Sequence, residues 1–351
     1  MTGQPSTPHR RRPRYSGRNP RRFDQKYKEH QPERYPATIA KVIASGKTPA
    51  GSHIPIMVAE VLAAIDPRPG QTAVDCTVGY GGHARAILER LLPGGRMLAL
   101  DVDPIELPRT GDRMRGLGYG PEVFTVRRSN FAGLPAALAA EGVAGADCIF
   151  ADLGVSSMQL DTPDRGFSFK TPGPLDMRMN PERGQPASAW LRKIGPDKLA
   201  DILAENADES HADVLADALA GQTIEEAPAL AAAVRAALPR VSDDERERSV
   251  RRVFQALRIA VNEEFTALES LLRHLPSCLN PGGRVAIITF HSGEDRRVKK
   301  AFQAGLRDGT YADISEEVVR PGDDECRANP RASAAKLRWA RRDRRTAEES
   351  P

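Results

Sequence analysis

Three acids stand where chemistry could gather. Asp75, Asp101 and Asp152 each close a short apolar run. Asp75 leads into Cys76-Thr77-Val78-Gly79-Tyr80-Gly81-Gly82, and a helix is expected to open near His83. Glycine reaches positive φ and lets a ligand approach the backbone. The helix behind such a turn offers free N–H groups and a positive dipole end. That is how the first crossover of a doubly wound sheet holds a nucleotide-like ligand. Asp101, with Asp103-Pro104 behind it, ends the next run. An acid about 20 residues past the glycines is where a ribose hydroxyl pair is read. A plain tight turn accounts for the glycines but not for that acid.

These residues leave the ligand open. Gly79-x-Gly81-x-x-Ala84 meets the relaxed dinucleotide fingerprint, which admits NAD. S-adenosylmethionine uses the same loop and acid. Further along, Asp152-Leu153-Gly154-Val155-Ser156-Ser157-Met158-Gln159-Leu160-Asp161 sits at the carboxyl end of a strand, the edge where open α/β sheets bind ligands. Asp152 is suited to accept a hydrogen bond from a ligand or a substrate amine, and Gly154 permits close approach. A polar loop ending a buried strand is the plainer account.

Arg165-Gly166-Phe167-Ser168-Phe169 and the Gly173–Asn180 segment interleave cations with Phe and Met. They suit base stacking and phosphate pairing, or simple packing beneath the site. In Phe254–Ile259, Gln255 and Arg258 share a helix face. In Phe290–Arg296, Ser292 and Asp295 have capping-box spacing, which leaves His291 and Arg296 at the ligand edge unexplained.

Apolar runs position these residues. Strands are expected at Thr72–Asp75, Arg96–Leu100, Val123–Val126, Asp147–Asp152 and Arg284–Phe290, with a closing pair at Thr310–Val319 and Lys336–Arg341. Helices between them argue a parallel, doubly wound sheet. From about Thr162 to Ser249 no strand is expected, and helices over Ala187–Ile194, Asp197–Glu205, Ser210–Ala220 and Pro228–Leu238 read as an insertion. The stripe Phe254, Leu257, Val261, Phe265, Leu268, Leu272 and Leu275 predicts one long core helix.

Composition narrows the class. A chain of 351 residues, 40% hydrophobic and without an 18-residue apolar run, reads as a non-membrane globular protein. Cys76, Cys148, Cys278 and Cys326 lie far apart with no C-x-x-C pair, so a zinc site or disulfide frame is not indicated, and a cytoplasmic setting fits. No metal is called for. Residues 9–34 hold ten Lys or Arg against three acids, a local +7 in a chain of net +4, so the remainder sums to −3. With Pro13, Pro20 and Pro32, residues 1–52 read as a disordered basic arm for phosphate, in preference to a transit peptide.

Taken together, His53-Ile54-Pro55, the Asp75–His83 loop, Asp101-x-Asp103-Pro104, Asn130-Phe131, Asp152–Asp161, Arg165–Phe169, Gly173–Asn180, Phe254–Ile259 and Phe290–Arg296 resemble one family. It is the bacterial 16S ribosomal RNA cytosine-N4-methyltransferase family (RsmH, or MraW). The resemblance runs from about His53 to Arg341 and implies a Rossmann-like, S-adenosylmethionine-dependent methyltransferase sheet. It assigns the donor to Gly79, Gly81, Gly82, His83, Asp101, Phe131, Asp152 and Gln159.

Asp152 is the first candidate to polarise the N4 amine, with Ser156 and His291 behind it. The implied partner is 16S rRNA in the small ribosomal subunit, and the resemblance leaves room for a homodimer. The corresponding domain plan is an arm at 1–52, sheet domain at 53–161 and 250–341, RNA-gripping helical insertion at 162–249, and tail at 342–351. The chain departs from the family pattern at Tyr80 (often Gly), Ala84 (Ser), Gly293 (Leu), 248–253 and 206–209. An NAD-dependent oxidoreductase and a ribosome-binding factor without activity are the competing readings.

Overall fold

In the computed structural model, which describes residues 55–344, each expected run is a strand. They are β1 (Thr72–Asp75), β2 (Arg96–Asp101), β3 (Phe124–Arg128), β4 (Ala146–Asp152), β5 (Leu279–Thr289), β6 (Tyr311–Ile314) and β7 (Lys336–Arg342). The basic arm, the His53-Ile54 pair and the end of the tail lie outside the described residues. The strands form one α/β sheet in the order β3-β2-β1-β4-β5-β7-β6. The first five run parallel, and β7 is antiparallel to both its neighbours. A dinucleotide sheet of order 3-2-1-4-5-6 lacks that reversed strand.

Both faces of the sheet are covered, so its central strands read as continuous apolar runs. On one face lie α1 (Val58–Ile65), α2 (Gly82–Leu91) and α3 (Glu106–Gly116), packed on Ala73, Met97, Cys148, Phe150 and Ala286. The register partners Val74, Leu98, Ile149 and Val285 point the other way, as the period of two requires. That second face begins with α4 (Leu134–Ala140). After β4 come the short α5 (Ser157–Asp161) and then five helices without a strand: α6 (Ala187–Leu191), α7 (Pro196–Ala207), α8 (Ala212–Leu219), α9 (Ala227–Ala237) and α10 (Asp243–Asn262). These five enclose their own core around Leu199, Leu203, Leu215, Leu230 and Val253. The helices α11 (Glu264–Cys278) and α12 (Ser292–Arg307) then join α4 on the sheet, and α13 (Asp323–Ala328) precedes β7.

The single long helix expected from Phe254 to Leu275 is two helices. Glu263 takes a left-handed conformation (φ 52°) and breaks it. The stripe continues across the break because both halves are buried, but in different cores. Phe254 and Leu257 pack in the helical core, whereas Leu268, Leu271, Leu272 and Leu275 pack on the sheet. Asn262 pins the junction: its Oδ1 accepts from Met179 N–H at 2.7 Å and its Nδ2 donates to the Met177 carbonyl at 2.8 Å. Periodicity reports burial but not the identity of the core.

Candidate active site

The sheet reverses its order between β1 and β4, and a cavity of about 390 Å³ opens at the carboxyl ends of the strands there. That switch point is where such sheets bind ligands. Gly79, Tyr80, Gly82 and His83 line it, as do Asp101, Phe131, Asp152, Ser156 and Gln159.

The glycine loop is fastened from several sides. Gly79 N–H donates to Asp101 Oδ2 at 2.9 Å, while Asp101 Oδ1 accepts from Asp103 N–H at 2.9 Å. Each Asp101 oxygen therefore keeps lone-pair capacity toward the cavity. The Thr110 hydroxyl donates to the Gly79 carbonyl, and Arg113 donates to the Tyr80 carbonyl at 3.2 Å while lying 3.6 Å over the Tyr80 ring centroid. Tyr80 thus has its own support on α3.

The three loop glycines differ. A Cβ on Gly79 would make only an ordinary contact with the Thr77 carbonyl at 3.9 Å, but one on Gly82 would meet the Pro55 ring at 2.8 Å, and one on Gly81 would meet Thr110 Cγ2 at 3.0 Å. The smallness of Gly81 and Gly82 serves packing. Gly81 does not line the cavity, which departs from its expected place there.

The floor is acidic and buried. Asp75 is 1% exposed, and burial first, with Asp101 nearby, pushes its carboxyl up to about 7 against the pull of the Thr77 N–H. Asp152 is pushed up to about 8, by burial first and then by the charges of Asp75 and Glu294. Burial also raises Asp101. Thr77 Oγ1 accepts from Asp152 N–H at 2.6 Å and so fixes the strand end. The Asp152 side chain has a buried Oδ1 without a hydrogen-bond partner, and its Oδ2 stands 3.9 Å from His83 Nδ1. His83 Nε2 is 2.8 Å from the Ile56 carbonyl, an acceptor only, so this nitrogen carries a proton and donates it there.

Arg258 is the cation of this wall, and Glu264 grips it through Nε at 2.8 Å and Nη2 at 2.9 Å. Burial opposes charge on Glu294, but His291, Arg258 and the Phe290 N–H together hold its carboxyl below the ordinary value. Of this network, the α10 face pattern singled out Arg258 alone. Glu264 and Glu294 lie at helix starts, where an acid reads equally well as a dipole partner. Asp103 stands in the sequence only as part of the Asp101-x-Asp103-Pro104 motif. It is a buried anchor, taking Arg165 Nη1 at 2.8 Å and Gln159 Nε2 at 2.9 Å.

Two expected roles change. His291 does not line the cavity. It is buried behind it, its ring against Phe265 and its Nε2 3.2 Å from Glu294 Oε1, so it acts on the site only through Glu294. The capping box lies not at Ser292 but at Ser156–Gln159, whose side chains and backbone N–H groups bond reciprocally at 3.2 and 3.0 Å. Ser292 donates instead to Asp208, and Asp295 accepts from Arg338. Ser156 and Gln159 thus shape the loop after β4. At Gly293 a Cβ would meet Phe265 Cζ at 2.7 Å, so Phe265 fills the space a leucine would take.

The family model described as the MraW methylase family matches residues 50–343. This chain belongs to that family. It is 47% identical over 353 residues to the ribosomal RNA small subunit methyltransferase H 1 of Lachnoclostridium phytofermentans, covering 97% of this chain and 96% of that one. It is 48% identical over 339 residues to methyltransferase H 2 of Alkaliphilus metalliredigens, covering 94% and 97%. The relative from Anaeromyxobacter sp. (strain K) is 42% identical, covering 82% and 96%.

S-adenosylmethionine is the cofactor of this methylase. The residues present fit it. Asp75, Asp101, Asp152 and Glu294 surround or underlie the cavity, and the two arginines in its lining are already held, Arg258 by Glu264 and Arg331 by Asp161. A bound sulfonium would bring positive charge to these acids, and the buried Asp152 Oδ1 has no hydrogen-bond partner among the described residues.

Proposed function

We propose that the chain transfers a methyl group from S-adenosylmethionine to the exocyclic N4 amine of a cytosine in the decoding region of 16S rRNA, as a cytoplasmic enzyme of ribosome maturation. Its relatives' names support ribosomal RNA of the small subunit as the substrate. Among the described residues no helix is long and apolar enough to cross a membrane. The observation that carries the reading is Asp152 at the cavity wall, whose carboxyl burial raises to about 8 and whose buried Oδ1 has no hydrogen-bond partner among the described residues.

When bound, S-adenosylmethionine supplies an electrophilic methyl. The chain's own task is to place and polarise a poor nucleophile, because the N4 lone pair is delocalised into the ring. Asp152 accepts a hydrogen bond from that amine and takes up its proton as charge develops. With its carboxyl raised to about 8 the group holds a proton near neutral pH in the donor-free protein, and the sulfonium's positive charge favours the ionised form that can accept the amine proton. Phe131 offers an apolar flank and Asp101 a pair of acceptors for the donor's nucleoside, with Gly79, His83 and Gln159 holding the walls. Much of the rate then comes from positioning. The helices α6–α10 grip the RNA beside this cleft.

Mass spectrometry of rRNA nucleosides from cells with and without the chain tests the reading. N4-methylcytidine is expected to vanish with the chain, and unchanged content would overturn it.

A further inference from the structure

A second cavity, of about 730 Å³, adjoins the first. It lies between the end of β3, the loop 178–185, the α6–α7 junction and the break between α10 and α11. Val102, Ser129, Asn130, Met179 and Asn262 line both cavities and form their common boundary.

The chemistry reverses across that boundary. The first cavity is ringed by acids, whereas the second is lined by Arg128, Arg178, Arg183, Lys193 and Lys198 against one acid, Glu263. Arg128 is engaged by Glu182 and Arg178 by Asp176, at 2.7 Å each. Arg183 and Lys198 are exposed and form no ion pair with a described residue, and Lys193 donates only to Gln185 at 3.0 Å. The 12-residue α7 starts at this wall with Gly195 as its N-cap and no side chain capping it. Its first residue, Pro196, has no N–H and its first turn carries Asp197, so only the Asp197 and Lys198 N–H groups are available there and the exposed cations are the principal anion donors. Trp190, half-buried, lines the same cavity and presents an aromatic surface.

The geometry points to a subsite for the nucleotides flanking the target, deepening the RNA methyltransferase reading on which it rests. A strand whose target base enters the acidic cavity runs on across Asn130 and Met179 into the basic one. There Arg183 and Lys198 take backbone phosphate, and Trp190 stacks a neighbouring base. The ligand is single-stranded RNA, since aromatic stacking needs a base freed from its own stack. Phosphate contacts here set register, and the acidic cavity does the chemistry.

The test uses the full chain with saturating S-adenosylhomocysteine and a fluorescein-labelled pentaribonucleotide with a central cytosine. Arg183→Ala/Lys198→Ala is expected to bind it roughly tenfold more weakly, with a salt dependence of log K shallower by about 1.4, the counterions of two single-strand phosphates. Arg183→Lys/Lys198→Arg is expected to restore most of both. Calorimetry with S-adenosylhomocysteine is expected to be unchanged in both variants, which reports an intact fold. Equal affinity and equal salt slope for wild type and double alanine variant would overturn the subsite. The measurement needs no methyl transfer, so wild-type protein that binds the probe this way but leaves rRNA unmodified would sink the activity and not the groove.

Discussion

The two cavities that meet at Asn130 and Met179 are built in opposite ways. The donor cavity sits on strand ends, with acids whose partners are backbone N–H groups and arginines that they hold in place, Arg165 on Asp103 and Arg258 on Glu264. The neighbouring groove is made of long exposed cations on loops and helix starts. Buried charge is costly and directional, so it suits chemistry and a fixed cofactor. Exposed charge is cheap and screened by salt, so it suits capture of a flexible polyanion. Changes in one cavity should therefore leave the task of the other intact.

The sharpest break of that division is Asp152→Ala. Single-turnover methylation at saturating donor should fall by about 10²–10⁴ while RNA affinity holds. Full rate at saturating donor would leave Asp152 as a donor ligand only.

Asp101→Ala should weaken S-adenosylmethionine binding by about ten- to a hundredfold, since hydrogen bonds to a charged acceptor contribute roughly 1.5–3 kcal/mol. Calorimetry showing wild-type affinity would remove Asp101 from the donor site, and a changed RNA affinity would blur the two cavities.

A third measurement uses pH. Burial, then Asp75 and Glu294, raises Asp152 to about 8, so below that value its carboxyl holds a proton in the donor-free protein. A sulfonium favours the ionised form. Affinity for S-adenosylmethionine relative to uncharged S-adenosylhomocysteine should rise with pH toward about 8, by up to about tenfold per unit, and then level. A flat ratio would show that Asp152 does not sense the sulfonium. The same shifts at Asp75 and Asp152 make the donor-free fold lose stability as pH climbs from about 4 to 8, because the folded state keeps protons that the unfolded chain has released.

The smallest effect is expected from Tyr80→Gly. Loss of the Arg113 stacking, about 0.5–1 kcal/mol, should loosen the loop and weaken donor binding about two- to fivefold. Unchanged calorimetry would show that the bonds from Gly79 N–H to Asp101, from Thr110 and from Arg113 to the Tyr80 carbonyl hold the loop without the stacking.

Much of this was legible without coordinates. Strand ends at Asp75, Asp101 and Asp152 follow from apolar runs that stop at an acid, and the turn between β1 and α2 follows from its glycines. Both are decided by neighbours in sequence. The resemblance to a methyltransferase family likewise rests on contiguous motifs, and it brought the donor with it.

Other features depend on which surfaces meet. Ser156-x-x-Gln159 and Ser292-x-x-Asp295 have the same spacing, yet only the first closes a capping box, because Asp295 is drawn to Arg338 on β7 and Ser292 to Asp208. His291 sits two residues past the end of β5 and still misses the cavity, because its ring packs behind Glu294 against Phe265. The stripe through Phe254 and Leu275 hides a break at Glu263, since both flanks are buried and periodicity cannot tell one core from another. The basic groove draws on β3, a loop and three helices remote in sequence. Sequence by itself determined where the chain turns and which face of each element is apolar, because those are short-range matters of sterics and spacing. Only the tertiary structure decided which charged side chains share a cavity, because that depends on partners brought together from distant parts of the chain.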